Sequence, residues 1–114
     1  MNTMPLITIV TPSLNQGNYI GETIRSVVLQ DYPYVEYIVI DGGSKDNTID
    51  VIKQYKDKIT YWHSIPDHGQ ANAINQGFQA ASGSIVAWLN SDDMYLPGTL
   101  YTVAKHFIAE PETD

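Results

Sequence analysis

Four short runs of apolar, mostly β-branched residues recur along this chain, and each is followed by a segment with helical periodicity. The runs are too short for typical helices and are bounded by turn-forming residues, so we predict strands. The predicted strands cover residues 6–11, 36–40, 59–64 and 84–89. The predicted helices cover residues 19–30, 47–55, 70–81 and 96–107.

Alternation of strands and helices, with strands this apolar, is typical of a parallel sheet covered on both faces. Right-handed crossovers then predict a doubly wound, Rossmann-like α/β fold whose sheet is mostly parallel. Asn18 is the predicted N-cap of the first helix, and Asp46 or Asn47 that of the second, because these side chains accept hydrogen bonds from free backbone amides.

The composition limits the classes of partner. The chain has 114 residues and a formal net charge of −7, which suits one domain and argues against nucleic acid as a partner. It has no cysteine, so disulfides and thiolate metal sites are excluded. No signal-peptide pattern and no apolar run near the roughly 20 residues of a membrane span is present. A cytoplasmic location is expected, with membrane association of a longer parent protein left open.

Polar clusters follow three of the four predicted strands. The sequences TPSLN, DGGS and NSDD come directly after the first, second and fourth strands. The carboxyl ends of parallel strands meet at one edge of a sheet, and open α/β sheets bind their ligands there. The sequence therefore predicts a ligand site at that edge.

The adjacent carboxylates of Asp92 and Asp93 are candidate ligands for a divalent cation. Carboxylate oxygens suit Mg²⁺ or Mn²⁺, hard ions that share their coordination shell with substrate phosphates. Such an ion would neutralise charge on a departing diphosphate. The alternative is that one of the two side chains only caps the following turn and helix. The strand-end position favours the metal site without deciding it.

The sequence DGGSKDNT after the second strand is a further candidate. Gly42 and Gly43 allow a tight turn and the close approach of a ligand, and Asp41 could accept hydrogen bonds from a base or ribose. A glycine turn before a capped helix explains the same residues without a ligand. Neither the G-x-G-x-x-G dinucleotide pattern nor the phosphate-binding G-x-x-x-x-G-K-[ST] loop is present.

In combination, the segments ITIVTPSLNQGNYI, YIVIDGGSKDNTIDVI and PDHGQANAINQGFQAASGSIVAWLNSDD resemble glycosyltransferase family 2, whose members have the GT-A fold. The resemblance implies a part that binds a nucleotide-diphosphate sugar. The residues that it places against the nucleoside, ribose or diphosphate-sugar are Thr11, Pro12, Ser13, Asn15, Asp41, Gln70, Asn72, Asn75 and Asp92. It places Asp93, with Asp92, at the metal, as the counterpart of the family's DxD motif.

Three positions depart from the family pattern. Gly42 stands where many relatives have a second aspartate, Leu14 where tyrosine is frequent, and Asn90 where the motif has its first aspartate. The first two changes weaken the expected contacts with the base, and the third removes a charge. The resemblance therefore does not choose between UDP-, GDP- and dTDP-sugars.

The resemblance implies an inverting glycosyltransferase of polysaccharide biosynthesis that uses Mg²⁺ or Mn²⁺ and transfers a sugar to an acceptor hydroxyl, on a glycan or a lipid-linked acceptor. Family members carry the acceptor half and the catalytic base downstream of the DxD motif. Residues 1–114 are therefore expected to be a single nucleotide-sugar-binding domain truncated from a longer enzyme, with the base outside it. Two alternatives stay open: a catalytically inert nucleotide-binding fragment, and a nucleotidyltransferase, which the lack of lysine and arginine in TPSLNQGN disfavours.

Overall fold

The computed structural model describes residues 4–66 and 69–109, in which strands and α-helices alternate. The elements are β1 (Ile7–Ser13), α1 (Ile20–Val28), β2 (Val35–Asp41), α2 (Thr48–Gln54), a 3₁₀ turn (Lys56–Lys58), β3 (Tyr61–Ser64), α3 (Gln70–Ala80), β4 (Ile85–Trp88) and α4 (Thr99–Ala109). Every predicted strand and helix is present, with ends that differ by up to three residues. None of the helices in this described part of the chain has the length and apolarity of a membrane span.

The four strands form one parallel sheet in the order β3-β2-β1-β4. Ile7 of β1 pairs with Val35 of β2 on one side and with Ile85 of β4 on the other. The chain thus adds β2 and β3 on one side of β1 and then crosses back to place β4 on the opposite side. This confirms the predicted α/β fold with a parallel sheet, and it puts a topological switch point between β1 and β4.

Helices pack on both faces of the sheet because successive strand residues point to opposite faces. Ile7 and Ile9 of β1 belong to a buried cluster that includes residues of α1, α2 and α4. Val10 belongs to a smaller cluster that includes Ala73 of α3. Full burial of one such aliphatic side chain contributes about 1.5–3 kcal/mol, so these two clusters hold the strand ends in fixed positions.

Two local predictions are wrong. The edge strand β4 is not covered on both faces, since Val86 is 40% and Trp88 53% exposed. The reason is that α3 packs mainly over β1 and β2 and covers this face of β4 only in part, with the ring centroids of Phe78 and Trp88 6.3 Å apart. Asn18 does not cap α1, because Tyr19 occupies the cap position without a side-chain cap bond. The Tyr19 N–H donates instead to the carbonyl of Gln16.

Candidate functional site

A cleft of about 310 Å³ opens at the carboxyl ends of β1 and β4. Its lining comes from the end of β1 and the loop after it, from the start of α3, and from the loop after β4. The lining residues are Pro12, Ser13, Leu14, Gln16, Gly69, Ala73, Asn90, Ser91 and Asp92. The cleft lies at the switch point of the sheet, where α/β proteins of this topology bind their ligands.

Ser13, the last residue of β1, has a buried hydroxyl without a partner. The residue is 6% exposed, and its Oγ makes no hydrogen bond within the described structure. An unsatisfied buried hydroxyl costs roughly 1–3 kcal/mol, so a buried hydroxyl without a protein partner usually bonds to ordered water, an ion or a ligand. Because Ser13 lines the cleft, its hydroxyl is a candidate hydrogen-bonding group for a polar ligand, although the Oγ atom itself is covered in this structure.

The loop after β4 presents Asp92 and Asp93 at this edge of the sheet, and both residues are exposed. Asp92 lines the cleft, whereas Asp93 does not. The backbone of Asp93 is held by two hydrogen bonds, from its N–H to the Asn90 carbonyl at 3.0 Å and from Thr23 Oγ1 to its own carbonyl at 2.6 Å. Neither carboxylate has a hydrogen-bond or ion-pair partner among the described residues, so both are available to a ligand.

The electrostatics of the cleft call for an added cation if the ligand is a phosphate. None of the described lining residues is a lysine or an arginine, and Asp92 adds a negative charge. Among the described residues, the amino-terminal end of α3 contributes positive potential, because the helix begins at Gln70 beside Gly69 and Ala73 of the cleft. The positive end of a helix dipole offsets only part of the charge of a diphosphate.

The donor set fits an ion that is shared with a ligand. Within residues 4–66 and 69–109, no group of three or more histidine, aspartate or glutamate side chains could enclose a metal ion. Asp92 and Asp93 are adjacent in the sequence, so this loop could give an ion at most two carboxylates, and the rest of a coordination shell would come from other oxygens. Mg²⁺ and Mn²⁺ suit this arrangement, since they are commonly held by one or two carboxylates together with phosphate oxygens and water.

Asp41 is fully buried at the end of β2, and its carboxylate is already satisfied. It accepts four hydrogen bonds, from the Gly43 N–H, the Ser44 N–H, the Ser44 hydroxyl and the Ser64 hydroxyl. These bonds join the turn after β2 to the end of β3. In this structure Asp41 organises the loop, and its predicted contact with a base or ribose stays a prediction.

Asn15 and Thr11 are near the cleft but are not part of its lining. Asn15 has a φ of 53° and its Oδ1 accepts a hydrogen bond from the Lys45 N–H at 2.8 Å. Thr11 is fully buried, and its Oγ1 shares a 2.8 Å hydrogen bond with the Tyr37 hydroxyl. Burial raises the pKa of that tyrosine well above its ordinary value. The structure thus uses both predicted residues internally and does not bring their side chains to the cleft.

The predicted residues on α3 are spread around the helix. The side chain of Gln70 lies outside the described part of the structure. Asn75 is exposed and does not line the cleft, and Asn72 accepts a 3.3 Å hydrogen bond from Gln76 Nε2. Of the predicted nucleotide-sugar residues, the structure therefore brings Pro12, Ser13 and Asp92 together.

Comparison with known proteins settles the family. The sequence profile of glycosyl transferase family 2 matches residues 8–114. The chain belongs to glycosyl transferase family 2. An uncharacterised glycosyltransferase of Rickettsia typhi is 38% identical over 96 residues. TuaG of Bacillus subtilis, whose name assigns it provisionally to teichuronic acid biosynthesis, is 37% identical over 97 residues.

The family 2 chain covers only part of these relatives. The alignments include 84% of this chain and 30% of the Rickettsia typhi protein, and 82% of this chain and 38% of TuaG. The chain therefore spans about a third of the length of these two relatives, and only 14–16% of the length of three other curated glycosyltransferases that it matches.

Solved structures confirm the GT-A fold of the family 2 chain. Residues 1–349 of TarS from S. aureus, in complex with UDP-GlcNAc, match with a TM-score of 0.85 at 25% identity, over 93% of this chain and 32% of that chain. Glucosyl-3-phosphoglycerate synthase from Mycobacterium tuberculosis, in complex with Mn²⁺, UDP and glucosyl-3-phosphoglycerate, matches with a TM-score of 0.63 at 29% identity, over 76% and 33%.

Six lining residues of the family 2 cleft were not predicted as individual site residues, namely Leu14, Gln16, Gly69, Ala73, Asn90 and Ser91. Gln16 and Ser91 lie in polar loops that were assigned to the correct sheet edge. The rule that ligands bind at the carboxyl ends of parallel strands, which we call the strand-end rule, could therefore have included them. Ala73 carried no signal, because a small apolar residue on a helix is indistinguishable from a core residue in the sequence.

Proposed function

We propose that this chain is the nucleotide-sugar-binding part of a glycosyltransferase that transfers a sugar, with inversion, from a nucleotide-diphosphate sugar to an acceptor hydroxyl. The observation that carries the proposal is the pairing of Ser13 and Asp92 in one cleft at the switch point of the sheet. Within the described part of the chain, the Ser13 hydroxyl and the Asp92 carboxylate have no hydrogen-bond partner. The ligands of TarS and of the synthase, UDP-GlcNAc and UDP with Mn²⁺, support the same ligand class.

Different residues of the cleft would contact different parts of the nucleotide-diphosphate sugar. The end of β1 and the following loop, including Ser13, Leu14 and Gln16, would contact the nucleoside. The amino-terminal end of α3 would face the diphosphate. Asp92 and Asp93 would hold Mg²⁺ or Mn²⁺, which when bound supplies positive charge to a departing diphosphate.

The transfer step needs groups that the described cleft does not contain. Inversion requires a base that takes the proton of the acceptor hydroxyl as its oxygen attacks the anomeric carbon from the face opposite the diphosphate. Asp92 is the only titratable side chain among the described lining residues, and it is assigned to the ion. We therefore place the base and the acceptor site in the part of a longer protein that follows this chain. The acceptor would be a glycan or a lipid-linked acceptor, and the teichuronic acid biosynthesis in the name of TuaG supports the glycan.

The lack of a second titratable group among the described lining residues favours one alternative function. A cleft whose single described titratable group is committed to an ion can bind a nucleotide without transferring a sugar. Residues 1–114 alone would then be a catalytically inert nucleotide-binding fragment, and we expect little or no transfer by the isolated chain.

Calorimetric titration tests the proposal. Wild-type chain is titrated with UDP, GDP and dTDP, each with and without Mn²⁺. We expect at least one nucleotide to bind, and to bind about tenfold or more tightly with Mn²⁺. Asp92→Asn and Asp93→Asn should each remove most of the Mn²⁺ effect. Asp57→Asn, at an exposed position in the 3₁₀ turn, is the matched control and should leave it unchanged.

Two outcomes would contradict the proposal. Absence of binding by all three nucleotides with Mn²⁺ would refute the nucleotide site. Binding that is indifferent to Mn²⁺ in the wild type would refute the metal role of Asp92 and Asp93 while leaving the nucleotide site standing.

A further inference from the structure

The loop after β1 is fastened to the segment that leads into α2. We call residues 14–17 the β1 loop and residues 44–48 the latch segment. Three consecutive backbone amides of the β1 loop each donate to a side-chain oxygen of the latch segment. The bonds run from Asn15 N–H to Ser44 Oγ at 2.8 Å, from Gln16 N–H to Thr48 Oγ1 at 2.9 Å, and from Gly17 N–H to Asp46 Oδ2 at 3.0 Å.

In two of these bonds, the hydroxyl that accepts from the backbone amide also donates to a carboxylate. Ser44 Oγ accepts from the Asn15 amide and donates at 2.5 Å to the buried carboxylate of Asp41. Thr48 Oγ1, in a fully buried residue, accepts from the Gln16 amide and donates to Asp46. Each hydroxyl thus relays a negative charge to a backbone amide, and hydrogen bonds in such charged chains strengthen one another.

Asp46 also accepts a hydrogen bond from the Thr48 N–H at 2.9 Å, at the start of α2. Of the two predicted cap residues of this helix, Asp46 therefore supplies the acceptor, whereas Asn47 makes no side-chain cap bond. The latch segment is consequently anchored at both ends, by the Asp41 carboxylate and by α2.

The β1 loop also contacts side chains of the latch segment at Gly17. A Cβ added at Gly17 would lie 1.7 Å from Asn47 Oδ1 and 3.1 Å from Asp46 Oδ2, so the backbone of Gly17 packs against these two side chains. On its other side, the β1 loop contributes Leu14 and Gln16 to the cleft. One face of this loop is thus the cleft wall, and the other is held by side chains that never reach the cleft.

We propose that Ser44, Asp46 and Thr48 are positioning residues, which set the cleft wall for nucleotide binding through the backbone of the β1 loop. This inference rests on the proposed function, because it takes the cleft to be the nucleotide site. It also changes the role of Asn15 from a predicted nucleotide-sugar contact to a residue that connects the latch segment to the cleft wall through hydrogen bonds with Ser44 and Lys45.

The test uses a pair of substitutions at Thr48. Thr48→Val keeps the shape of the buried side chain and removes its oxygen, while Thr48→Ser keeps the oxygen. Amide hydrogen exchange, followed by NMR, reports on the Gln16 amide without any ligand. UDP with Mn²⁺ is the binding probe, with GDP and dTDP used if UDP does not bind to wild type.

We expect Thr48→Val to raise the exchange rate of the Gln16 amide and to weaken nucleotide binding by about five- to tenfold, because it removes the oxygen that accepts from the Gln16 amide and donates to Asp46. Thr48→Ser should restore both quantities to near wild type. Ser44→Ala should act in the same way on the Asn15 amide. Thr60→Val is the matched control, because Thr60 Oγ1 also accepts a backbone amide, that of Tyr37 at 3.0 Å, but is not in contact with the β1 loop.

The outcomes separate this inference from the proposed function. Unchanged exchange rates of the Asn15 and Gln16 amides in Ser44→Ala and Thr48→Val would show that the latch segment does not hold the β1 loop, whatever the nucleotide affinity of these variants. Faster exchange with unchanged nucleotide affinity would overturn the positioning role. If wild type binds none of the three nucleotides, the proposed function and the positioning role both fail, and the exchange rates still decide whether the latch exists.

Discussion

Gly77 of α3 lies directly against Val10 of β1, so that a Cβ added at Gly77 would come within 2.3 Å of Val10 Cγ1. This close approach seats α3 on the centre of the sheet, and it brings the start of the helix, with Gly69 and Ala73, to the cleft. The position of one wall of the cleft therefore depends on the absence of a side chain at residue 77.

We predict that Gly77→Ala lowers the free energy of unfolding by about 1–3 kcal/mol, because the added methyl forces α3 away from β1. Urea unfolding of the chain measures this. Gly21→Ala in α1 is the matched helical control, since a Cβ there meets its neighbours at 3.4 Å. It should be neutral or stabilising by up to about 1 kcal/mol, as expected for replacing a helical glycine. Equal effects at the two positions would contradict the packing argument.

The architecture could be predicted from the sequence because it depends on periodicity, and strand-length apolar runs such as residues 6–11 leave few alternatives. The exposure of Val86 and Trp88 on β4 could not be predicted in this way. It depends on where α3 lies across the sheet, and the strand itself is as apolar as the buried ones.

The candidate site was predictable to the level of the sheet edge and less so to the level of single residues. The strand-end rule correctly grouped Ser13 with Asp92, because it needs only the order of the elements. It could not show that the polar groups of Asn15 are used internally, since their partners Ser44 and Lys45 lie about thirty residues further along the chain. Hydrogen bonds of that kind leave no periodic pattern.

Ser13→Ala should weaken nucleotide binding without destabilising the free protein. Removing a buried hydroxyl without a partner should leave the free protein equally stable or stabilise it by about 1 kcal/mol, while nucleotide binding weakens. Thermal melting without ligand and calorimetry with UDP and Mn²⁺ measure the two effects.

Thr11→Val is the control for Ser13→Ala, because it removes a buried hydroxyl that is bonded to Tyr37. It should destabilise the free protein by about 1–2 kcal/mol through the tyrosine hydroxyl that it leaves unpaired. If Ser13→Ala destabilises the chain as much as Thr11→Val, the Ser13 hydroxyl has a partner in the free protein and its assignment to a ligand is wrong.

Leu14→Tyr should strengthen nucleotide binding. Leu14 lines the cleft and is 53% exposed, so a larger side chain fits at this position without disturbing the core. A tyrosine ring there would stack on the base, and stacking of a base on an aromatic ring contributes about 1–3 kcal/mol. Calorimetry with UDP measures the change, and Leu29→Tyr, at an exposed position outside the cleft, is the control. A gain that is equal in both variants would argue against a base at Leu14.

Acid should weaken the contribution of Asp46 to stability. Hydrogen bonds from the Thr48 side chain and backbone and from the Gly17 amide lower the pKa of the Asp46 carboxyl below its ordinary value of 3.8. Since the pKa is lower in the folded state, the stabilisation is fully present above the pKa of the unfolded chain. It is lost as the pH falls through the pKa of the folded state.

Asp46→Asn cannot ionise and should lack this stabilisation at every pH. The difference in unfolding free energy between wild type and Asp46→Asn should therefore be largest near about pH 6 and should shrink as the pH falls below about 3.8. Urea midpoints measured across this range give the difference directly. A difference that stays constant with pH would show that the Asp46 carboxylate charge plays no part in holding the loop.

The most direct measurement is NMR of the labelled chain with Mn²⁺, whose unpaired electrons broaden nearby amide signals. With UDP present, our account predicts that Mn²⁺ broadens the signals of Ser13, Asp92 and Asp93 more strongly than those of β3 (Tyr61–Ser64), which is the strand farthest from β4 in the sheet. Asp92→Asn combined with Asp93→Asn should abolish the effect. Broadening centred elsewhere on the chain, or equal broadening in the double variant, would contradict a nucleotide and metal site at the carboxyl ends of β1 and β4.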